Sequence, residues 1–396
     1  MYNKKGKGDL NMTKPILFPD YEHSILNLMT SILNNYQVKT YHTSLESLDK
    51  VLKNDYTNVV LLILDGMGNN VLKNASPNGL FEKHKLDTIT SVYPSTTTAA
   101  LTTFYSGKSP LETGWIAWSQ YFKEYGRAID MLPYTDSYTG EQLPRNKFDV
   151  YELLKYQTVY SQIENATDNK VKTYEIKPAH CDAKANKCIH IKNLEEICNS
   201  IETLCKSNEK KYIFSYFDSP DSINHKFGWD SEESKEFILY AEKLLNNLKN
   251  NLLNTNTLII ISADHGHNNI NKNFNILELE ELNFCFIMPP SLEPRFTSFW
   301  IKSDKKEFFE QKFKEIFKDD FLLYSKEEFM NLNLLGLGEK NKKIDDFIGD
   351  YVSIAISDAN INLGTYLCPE NSIKRSHHCG LTKNEMEVPL IVFELK

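Results

Sequence analysis

Residues 59–68 read VVLLILDGMG, an apolar run that ends at Asp65 and continues into a glycine-rich turn. A short, continuous apolar run with β-branched residues is typical of a parallel strand buried on both faces. Gly66 and Gly68 let the chain turn sharply after such a strand, although Asp-Gly after a strand also fits a simple turn. The segment predicts a central strand with an aspartate at its carboxyl end, where open α/β sheets bind ligands.

Two later runs have the same character. They cover residues 212–217 and 258–262, and Asp221 and Asp264 follow them. Apolar residues between the two runs recur at helical spacing from 237 to 252, which predicts a strand, helix, strand unit.

Apolar runs at 352–356 and 389–393 predict two more strands, so the sheet draws on both ends of the chain. These patterns together predict an α/β fold with a central, mostly parallel sheet flanked by helices.

The length and the hydrophobic content predict one large domain with insertions. The chain has 396 residues, of which 41% are hydrophobic, enough for a sizeable core. We expect an N-terminal tail at 1–20 and a catalytic domain at 21–396. Two inserted cap segments are expected at about 121–210 and 290–343, because the first is polar and irregular and the second has its own strand and helix pattern.

Charge and hydropathy narrow the possible partners. A formal net charge of -8 and 45 dispersed basic residues give no footprint for nucleic acid. A phosphate substrate would therefore need local positive charge, which metal ions could provide. The apolar runs are too short to span a bilayer and the N-terminus has no signal-like apolar stretch, so we expect a cytoplasmic protein. The odd number of cysteines, seven, fits reduced thiols.

Hydroxyl residues cluster before a predicted helix in YPSTTTAALTTFYSG, residues 93–107. A hydroxyl in the first turn of a helix lies among free backbone N–H groups and the positive end of the helix dipole, which suits a phosphate oxygen. Alternatively, Ser95 or one of the threonines only caps the helix.

Three more segments carry possible metal ligands. FDSPDSINHKFG contains Asp221 and His225 four residues apart, SADHGH contains Asp264 and His265, and HHCGLTKNEMEVPLIVF begins with His377 and His378. Each segment alone fits an ordinary solvated loop.

Together the segments supply carboxylates, imidazoles and a threonine hydroxyl at predicted strand ends. Oxygen and nitrogen ligands suit zinc, with manganese or iron as alternatives, and the lack of a thiolate favours catalysis over a structural role. Two such groups with open positions predict a site for two metal ions.

A histidine and cysteine cluster lies within the first predicted insertion. Its members are His180, Cys181, Cys188 and His190. Their spacing matches no common zinc module, so we interpret the segment as an ordinary loop.

The ordered set LDG, PSTTT, SPDSINH, ADHGH and HCG resembles the alkaline phosphatase superfamily, and within it the type I phosphodiesterase and nucleotide pyrophosphatase group. The resemblance runs from about Val59 to Phe393. It implies one zinc held by Asp65, Asp264 and His265 and in contact with Thr97. It implies a second zinc held by Asp221, His225 and His378. Thr97 is favoured over Thr96 by its position after Pro94, and His378 over His377 because glycine follows it closely.

The resemblance also implies the reaction: hydrolysis of phosphodiester or pyrophosphate bonds, with nucleotide-type small molecules as substrates, through a phosphothreonine intermediate. The group's downstream asparagine, which binds a phosphate oxygen, is replaced here by Trp118. Trp115, Trp118 and Tyr121 could stack on a base, or pack in the core. A phosphomonoesterase, a phosphonate hydrolase, a phosphomutase or a non-catalytic metal-binding module are the alternatives.

Overall fold

The computed structural model of the protein describes residues 16–363 and 374–396. The predicted N-terminal tail lies outside the described residues up to position 15. Its last part was predicted wrongly, because residues 16–20 belong to the folded unit. Ile16 pairs with Thr382 and the Leu17 amide donates to the Leu381 carbonyl at 2.9 Å.

The strands within the described residues, in chain order, are β1 (Asn58–Leu64), β2 (Lys85–Thr90), β3 (Ser119–Phe122), β4 (Arg127–Asp130), β5 (Thr135–Asp136), β6 (Lys172–Pro178), β7 (Cys188–Ile191), β8 (Lys211–Phe217), β9 (Thr257–Ser262), β10 (Asn268–Asn269), β11 (Lys272–Asn275), β12 (Ser291–Glu293), β13 (Phe296–Phe299), β14 (Phe321–Ser325), β15 (Tyr351–Ala355), β16 (Ala359–Asn362), β17 (Ser376–His377) and β18 (Glu387–Leu395).

The α-helices of the same residues are α1 (Ile25–Asn35), α2 (Glu46–Leu52), α3 (Asn69–Ala75), α4 (Leu80–Lys83), α5 (Thr97–Ser106), α6 (Pro110–Thr113), α7 (Val150–Leu153), α8 (Val159–Ala166), α9 (Leu194–Cys205), α10 (Asp221–Phe227), α11 (Glu232–Asn251), α12 (Glu280–Asn283), α13 (Lys306–Phe317), α14 (Lys326–Asn331), α15 (Ile344–Phe347) and α16 (Lys383–Met386).

The central sheet has the strand order β2-β18-β9-β1-β8-β6-β7. Strand β1 lies between β8 and β9 and is parallel to both, with Asn58 opposite Lys211 and Thr257. All seven residues of β1 are buried, as the apolar run predicts. The sheet is mostly parallel, and β18 is the strand that is antiparallel to its neighbours. Helices α1, α5 and α8 contact one another, α11 contacts both α3 and α9, and these two groups flank the sheet. The predicted α/β fold is confirmed.

A second sheet is antiparallel and has the order β14-β15-β13-β12-β3-β4-β5. It combines strands from both predicted insertions around a separate apolar core. The strand predicted at 352–356 corresponds to β15, which belongs to this sheet and not to the central one. An apolar run predicts burial of a strand, but not which of two sheets will bury it.

The first insertion was predicted at about 121–210, and the second half of this range was assigned wrongly. Strands β6 and β7 continue the central sheet beyond β8, and α8 and α9 pack with it. These strands lie toward one edge, where polar residues are tolerated. Glu175 and Lys177 within β6 are buried because they form an ion pair at 2.6 Å.

The parallel strands place their carboxyl ends side by side. Asp65 follows β1, Asp264 follows β9, and α10 begins at Asp221 shortly after β8. The amide of Asp221 donates to the Asp65 carbonyl at 2.8 Å, which joins two of these ends directly. Within the described residues, none of the helices is both long and apolar enough to cross a membrane.

Candidate active site

The first group of possible metal ligands contains Asp65, Asp264 and His265. One ligand atom from each lies within 4.8 Å of the others. The Nε2 atom of His265 lies 3.4 Å from the Asp65 Oδ1 and 3.5 Å from the Asp264 Oδ2. All three side chains are buried.

Asp65 and Asp264 are each held by hydrogen bonds to one carboxylate oxygen, while the other oxygen has no hydrogen-bond donor. Asp65 accepts a hydrogen bond from the Tyr216 hydroxyl, and Asp264 accepts from the amides of Gly66 and His265. The Asp65 Oδ1 and the Asp264 Oδ2 are buried and have no hydrogen-bond partner among the described residues. Burial, together with the charge of Asp264, raises the pKa of Asp65 well above its usual range. Buried carboxylate oxygens in this state fit a divalent cation.

The second group contains Asp221, His225 and His378. The Asp221 Oδ1 lies 3.3 Å from the Nε2 of His225 and 3.8 Å from the Nε2 of His378. The two groups are neighbours, because the rings of His265 and His378 stack with their centroids 3.8 Å apart.

Backbone carbonyls set the tautomers of these histidines. The Nδ1 atoms of His225, His265 and His378 lie 2.8 to 3.1 Å from carbonyl oxygens of Ser376, Gly266 and Ser95 respectively. A carbonyl oxygen only accepts, so each Nδ1 carries the proton and each Nε2 keeps its lone pair. Burial lowers the pKa of His225 to about 3 and lowers that of His378 well below its usual range, which keeps both rings neutral. Neutral imidazoles presenting Nε2 are suitable metal ligands.

Thr97 is the first residue of α5, and its Oγ1 lies 3.3 Å from the His265 Nε2. The neighbouring Thr96 directs its hydroxyl elsewhere and donates to Glu293 at 2.8 Å. Of the two threonines, Thr97 therefore faces the first ligand group. Similarly, His378 belongs to the second group, whereas the described ligand groups do not include His377.

Glycines let the loops after β1 and β9 approach closely. A Cβ atom on Gly68 would lie 2.5 Å from the Gly266 Cα, nearer than real Cβ contacts allow. A Cβ on Gly66, whose φ is +72°, would lie 2.9 Å from the Asp221 Cα. The LDGMG turn is thus required for the close approach of the three carboxylates.

His267 is a site residue that sequence reasoning missed. Its Nε2 lies 2.7 Å from the Asp221 Oδ1, and its Nδ1 lies 2.7 Å from the Ser376 Oγ. Asp221, His265 and His267 also form a third possible ligand group between the other two. The sequence DHGH contained a usable signal. His265 and His267 are two residues apart, and residues at that spacing in extended backbone point to the same side.

Glu293 is the second missed residue. It is 3% exposed, and it accepts hydrogen bonds from the Thr96 hydroxyl and from the Trp118 amide at 2.6 Å. Burial raises the pKa of this carboxyl to about 7. Glu293 ends β12 in the second sheet, far along the chain from Thr96, so no local pattern marks it.

Two cavities meet at Thr97, Trp118 and Asp221, which line both. The first, which we call the amide cavity, has a volume of about 350 Å³, and its other polar lining residues are Thr96, His225, Asn273, Glu293, Asn360, Asn362, Lys374, His377 and His378. The second, the aromatic cavity, has a volume of about 380 Å³, and its lining includes Leu101, Tyr105, Leu132, Tyr151, Lys177, Lys184 and Tyr216.

The three aromatic residues predicted to contact substrate have different positions. Trp118 is 39% exposed at the junction of the cavities. Trp115 is 2% exposed, donates to the Leu154 carbonyl and packs on Tyr151 in the second core, so of its two predicted roles it has the core-packing one. Tyr121 packs beside Trp300 on the second sheet and lines neither cavity.

The cluster of residues 180–190 forms none of the metal-ligand groups found in the described residues. His180 lies 3.3 Å from Asp218, and Cys181 and Cys188 are free thiols. Burial raises the pKa of both thiols to about 11, which disfavours the thiolate that binds metal. The interpretation of this segment as an ordinary loop is wrong for Cys188 and His190, which belong to strand β7 at the edge of the central sheet.

Solved structures show the same fold. Murine ectonucleotide pyrophosphatase/phosphodiesterase 5, solved as an inactive variant in complex with AMP, is 15% identical with a TM-score of 0.61. The match covers 84% of this chain and 87% of that one. Phosphonoacetate hydrolase from Sinorhizobium meliloti 1021, in complex with phosphonoformate, is 16% identical with a TM-score of 0.59. It covers 84% of this chain and 89% of that one. At these identities the likeness shows the fold alone.

Curated relatives match over a shorter segment. Ectonucleotide pyrophosphatase/phosphodiesterase family member 7 of Mus musculus is 27% identical over 107 residues, and so is its Rattus norvegicus counterpart. The match covers 25% of this chain and 24% of each relative, so the chain spans about a quarter of the length of these relatives.

The family model for type I phosphodiesterase/nucleotide pyrophosphatase matches residues 59–285, which is more than half of the chain. The matched region contains Thr97 and the candidate Asp and His ligands that follow β1, β8 and β9. The fold and this match place the chain in a known family: it belongs to the type I phosphodiesterase/nucleotide pyrophosphatase family.

Proposed function

We propose that the chain is a two-metal phosphodiesterase that uses Thr97 as its nucleophile. The observation that carries this proposal is the position of Thr97. Its hydroxyl lies beside the first ligand group, and the stacked rings of His265 and His378 bring the second group next to it. A nucleophile beside two open oxygen and nitrogen ligand groups supports phosphoryl transfer better than a binding role alone.

Asp65, Asp264 and His265 would hold one cation, and Asp221, His225 and His378 the other. Bound there, two divalent cations, with zinc as first choice and manganese or iron as alternatives, would supply Lewis acidity that favours the threonine alkoxide and neutralises charge on the leaving oxygen.

The start of α5 contributes to phosphate binding without a side chain. Thr97 is the first helical residue, so backbone N–H groups of the first turn have no partner within the helix and would be available to a phosphoryl group bound at Thr97. The helix dipole adds partial positive charge at the same end. Trp118 stands in the place of an asparagine that binds a phosphate oxygen in the group, and its side chain has no amide. The backbone N–H groups of α5 could provide the missing hydrogen bonds.

The proposed reaction has two displacements. In the first, the Thr97 Oγ forms a bond to phosphorus, loses its proton, and the bond to one ester oxygen breaks, so that this arm leaves as an alcohol. In the second, water attacks the phosphothreonine, Thr97 regains its proton, and a phosphate monoester is released.

The two cavities favour a diester. Both are adjacent to Thr97, so each can hold one substituent of a phosphorus atom at that position. The aromatic cavity suits a flat group, such as a base. A phosphomonoester or a phosphonate would leave one cavity without a ligand. Among the described residues, the cationic side chains that line the cavities are lysines and not arginines, which suits a monoanionic diester better than a dianion.

Hydrolysis of bis-p-nitrophenyl phosphate and of p-nitrophenyl phosphate by the zinc-loaded protein tests the proposal. We expect the diester to be preferred and chelation to abolish turnover. Thr97→Ala should lower kcat at least about 1,000-fold, because the nucleophile is lost. Thr102→Ala on the same helix is the matched control, since its hydroxyl bonds the Thr98 carbonyl.

Acid quenching during turnover should trap phosphate on Thr97, detectable by mass spectrometry of the peptide. Preference for the monoester, or for a phosphonate, would replace the diester proposal with one of those activities. Unchanged turnover of Thr97→Ala would exclude this threonine as the nucleophile.

A further inference from the structure

The amide cavity has a recognition surface that the proposed chemistry does not use. Strands β11 and β16 pair in parallel and place Asn273 opposite Asn360. The Asn360 amide donates to the Asn273 Oδ1 at 3.3 Å. Pro294 and the carboxyl of Glu293 contribute to the lining from the end of β12.

One polar atom in this surface lacks a partner. Asn360 is 9% exposed, and its Oδ1 is buried and accepts no hydrogen bond from the described residues. A buried acceptor without a donor destabilises the unliganded cavity, because the oxygen has lost its bonds to water and gained none from the protein. A ligand that brought hydroxyl donors into the cavity would recover this energy, whereas an alkyl group would not.

The hydrogen-bonding groups of the cavity do not favour a second phosphate. The Asn360 Oδ1 is an acceptor without a donor, and the Glu293 carboxyl is a second acceptor in the same lining. Lys374 provides an ammonium group, but its Nζ lies 3.1 Å from the His225 Nε2. A phosphate group brings mainly acceptors and would leave the Asn360 Oδ1 without a donor, so a neutral group with hydroxyl donors is the better match.

Hydroxyl groups are the neutral groups that fit. An alcohol both donates and accepts, so adjacent hydroxyls can satisfy a carboxyl or an amide with two hydrogen bonds. The exposed ring of Trp118 offers an apolar face for the C–H side of a ring. The volume of about 350 Å³ is large enough for a sugar-sized ligand.

We propose that the amide cavity binds a neutral, hydroxyl-rich leaving group, such as a sugar or a cyclic polyol. This inference rests on the proposed function, because it assigns the leaving arm of the diester to the cavity beside Asp221, His225 and His378. The substrate is then a phosphodiester and not a pyrophosphate. Its hydrolysis consumes one water and releases a free polyol and the monophosphate of the group held in the aromatic cavity.

Three derivatives of AMP test the inference. The inositol and cyclohexyl esters of AMP share a ring size and differ in hydroxyl groups, and ADP replaces the ring by phosphate. Calorimetry with zinc-loaded Thr97→Ala protein measures binding without turnover. We expect the inositol ester to bind at least about 10-fold more tightly than the cyclohexyl ester. Release of AMP by the unaltered protein should follow the same order and be slowest for ADP.

Variants assign the preference to the cavity. Asn360→Leu should lower the ratio of the two affinities to about one, while leaving the cyclohexyl ester unaffected. Asn273→Ala provides a second variant if Asn360→Leu does not fold. Asn331→Leu, at an exposed position of α14 outside the cavity, is the matched control and should keep the full ratio.

Several outcomes would overturn the inference. These are equal binding of the two ring esters, binding of neither, a better reaction with ADP, and a ratio unaffected by both asparagine variants. A different result would contradict the proposed function. In that case the unaltered protein and Thr97→Ala would turn over the diester at the same rate.

Discussion

Glu293 stands beside the proposed nucleophile without being one of the ligand candidates. It receives the hydroxyl of Thr96 and the backbone amide of Trp118. These bonds turn Thr96 away from the ligand groups and hold Trp118 at the junction of the two cavities. A buried carboxyl with few donors favours its neutral form, which gives stability a dependence on pH.

Glu293→Gln should stabilise the protein more at pH 8 than at pH 5. The pKa of Glu293 is raised to about 7 in the folded state, so the folded state binds the proton more tightly than the unfolded state. The stability of the unaltered protein therefore falls as pH rises from the unfolded pKa through about 7, whereas glutamine is neutral throughout. The gain at pH 8 relative to pH 5 should be about 2.5 kcal/mol, because most but not all of the pKa shift falls between these pH values and each pKa unit contributes about 1.4 kcal/mol.

Urea unfolding of both proteins at the two pH values, in the presence of a chelator, measures this difference. Other titrating groups cancel in the comparison. A gain that does not change with pH would mean that Glu293 is ionised in the folded protein.

His267 acts on the second ligand group through Asp221. Its ring donates to the carboxylate oxygen that also faces His225 and His378. Loss of such a supporting bond commonly lowers metal affinity 10- to 100-fold. We expect His267→Ala to weaken binding of one of two zinc ions by about that factor, as measured by calorimetry. His377→Ala, which removes a nearby ring outside the ligand groups, should have a smaller effect, and equal losses would contradict this assignment.

At the scale of elements, the loops after β1 and β9 must touch for the first ligand group to form. The C-terminal segment is held against the same loops by a buried ion pair, in which Arg295 binds Glu385 through two bonds at 2.7 and 2.8 Å. The Glu385 carbonyl in turn accepts the Gly266 amide at 2.9 Å. The second sheet thereby supports the loop after β9, which carries His265 and His267.

Gly68→Ala should separate these loops. The new Cβ would meet the Gly266 backbone at 2.5 Å, and neither loop can move without displacing Asp65 or Asp264. We expect a loss of about 2 to 4 kcal/mol in the free energy of unfolding and weaker zinc binding, by analogy with overpacked cores. Gly126→Ala is the control. Its Cβ would meet nothing within 4 Å, so only its positive φ costs energy, about 1 kcal/mol.

Urea unfolding and zinc titration together check the Gly68 prediction. A variant that binds zinc as the unaltered protein does would show that the loops have room to separate without moving the ligands.

At the scale of the whole molecule, the ligand groups join segments that are far apart in the chain. Asp65, Asp221, Asp264 and His378 come from four different segments. A metal ion bound by such residues stabilises only the folded protein, in which they are close together.

Zinc should therefore raise the free energy of unfolding by about 3 kcal/mol per site at a concentration 100-fold above Kd. Hydrogen exchange should slow in residues 376–381 as well as after β1 and β9. Thr97→Ala should keep most of this stabilisation, because the six Asp and His ligands remain. If zinc left both stability and exchange unchanged, neither group would be a metal site.

The sequence by itself determined the central strands and the residues that follow them. Strands β1, β8 and β9 lie at the buried centre of the sheet, so their residues are mostly apolar or aromatic, with Ser215 an exception within β8. The aspartates follow only where each strand ends. That local rule located Asp65, Asp221 and Asp264.

Tertiary structure alone decided the rest. The edge strands β6 and β7 are partly polar and read as an insertion, and β15 is apolar but belongs to the second sheet. Trp115 and Trp118 are close in sequence, yet one lies in a core and the other beside a cavity. Glu293 reaches Thr96 across nearly two hundred residues. Local patterns record whether a residue is buried, but the partner that buries it comes from a distant segment and is chosen only when the sheets assemble.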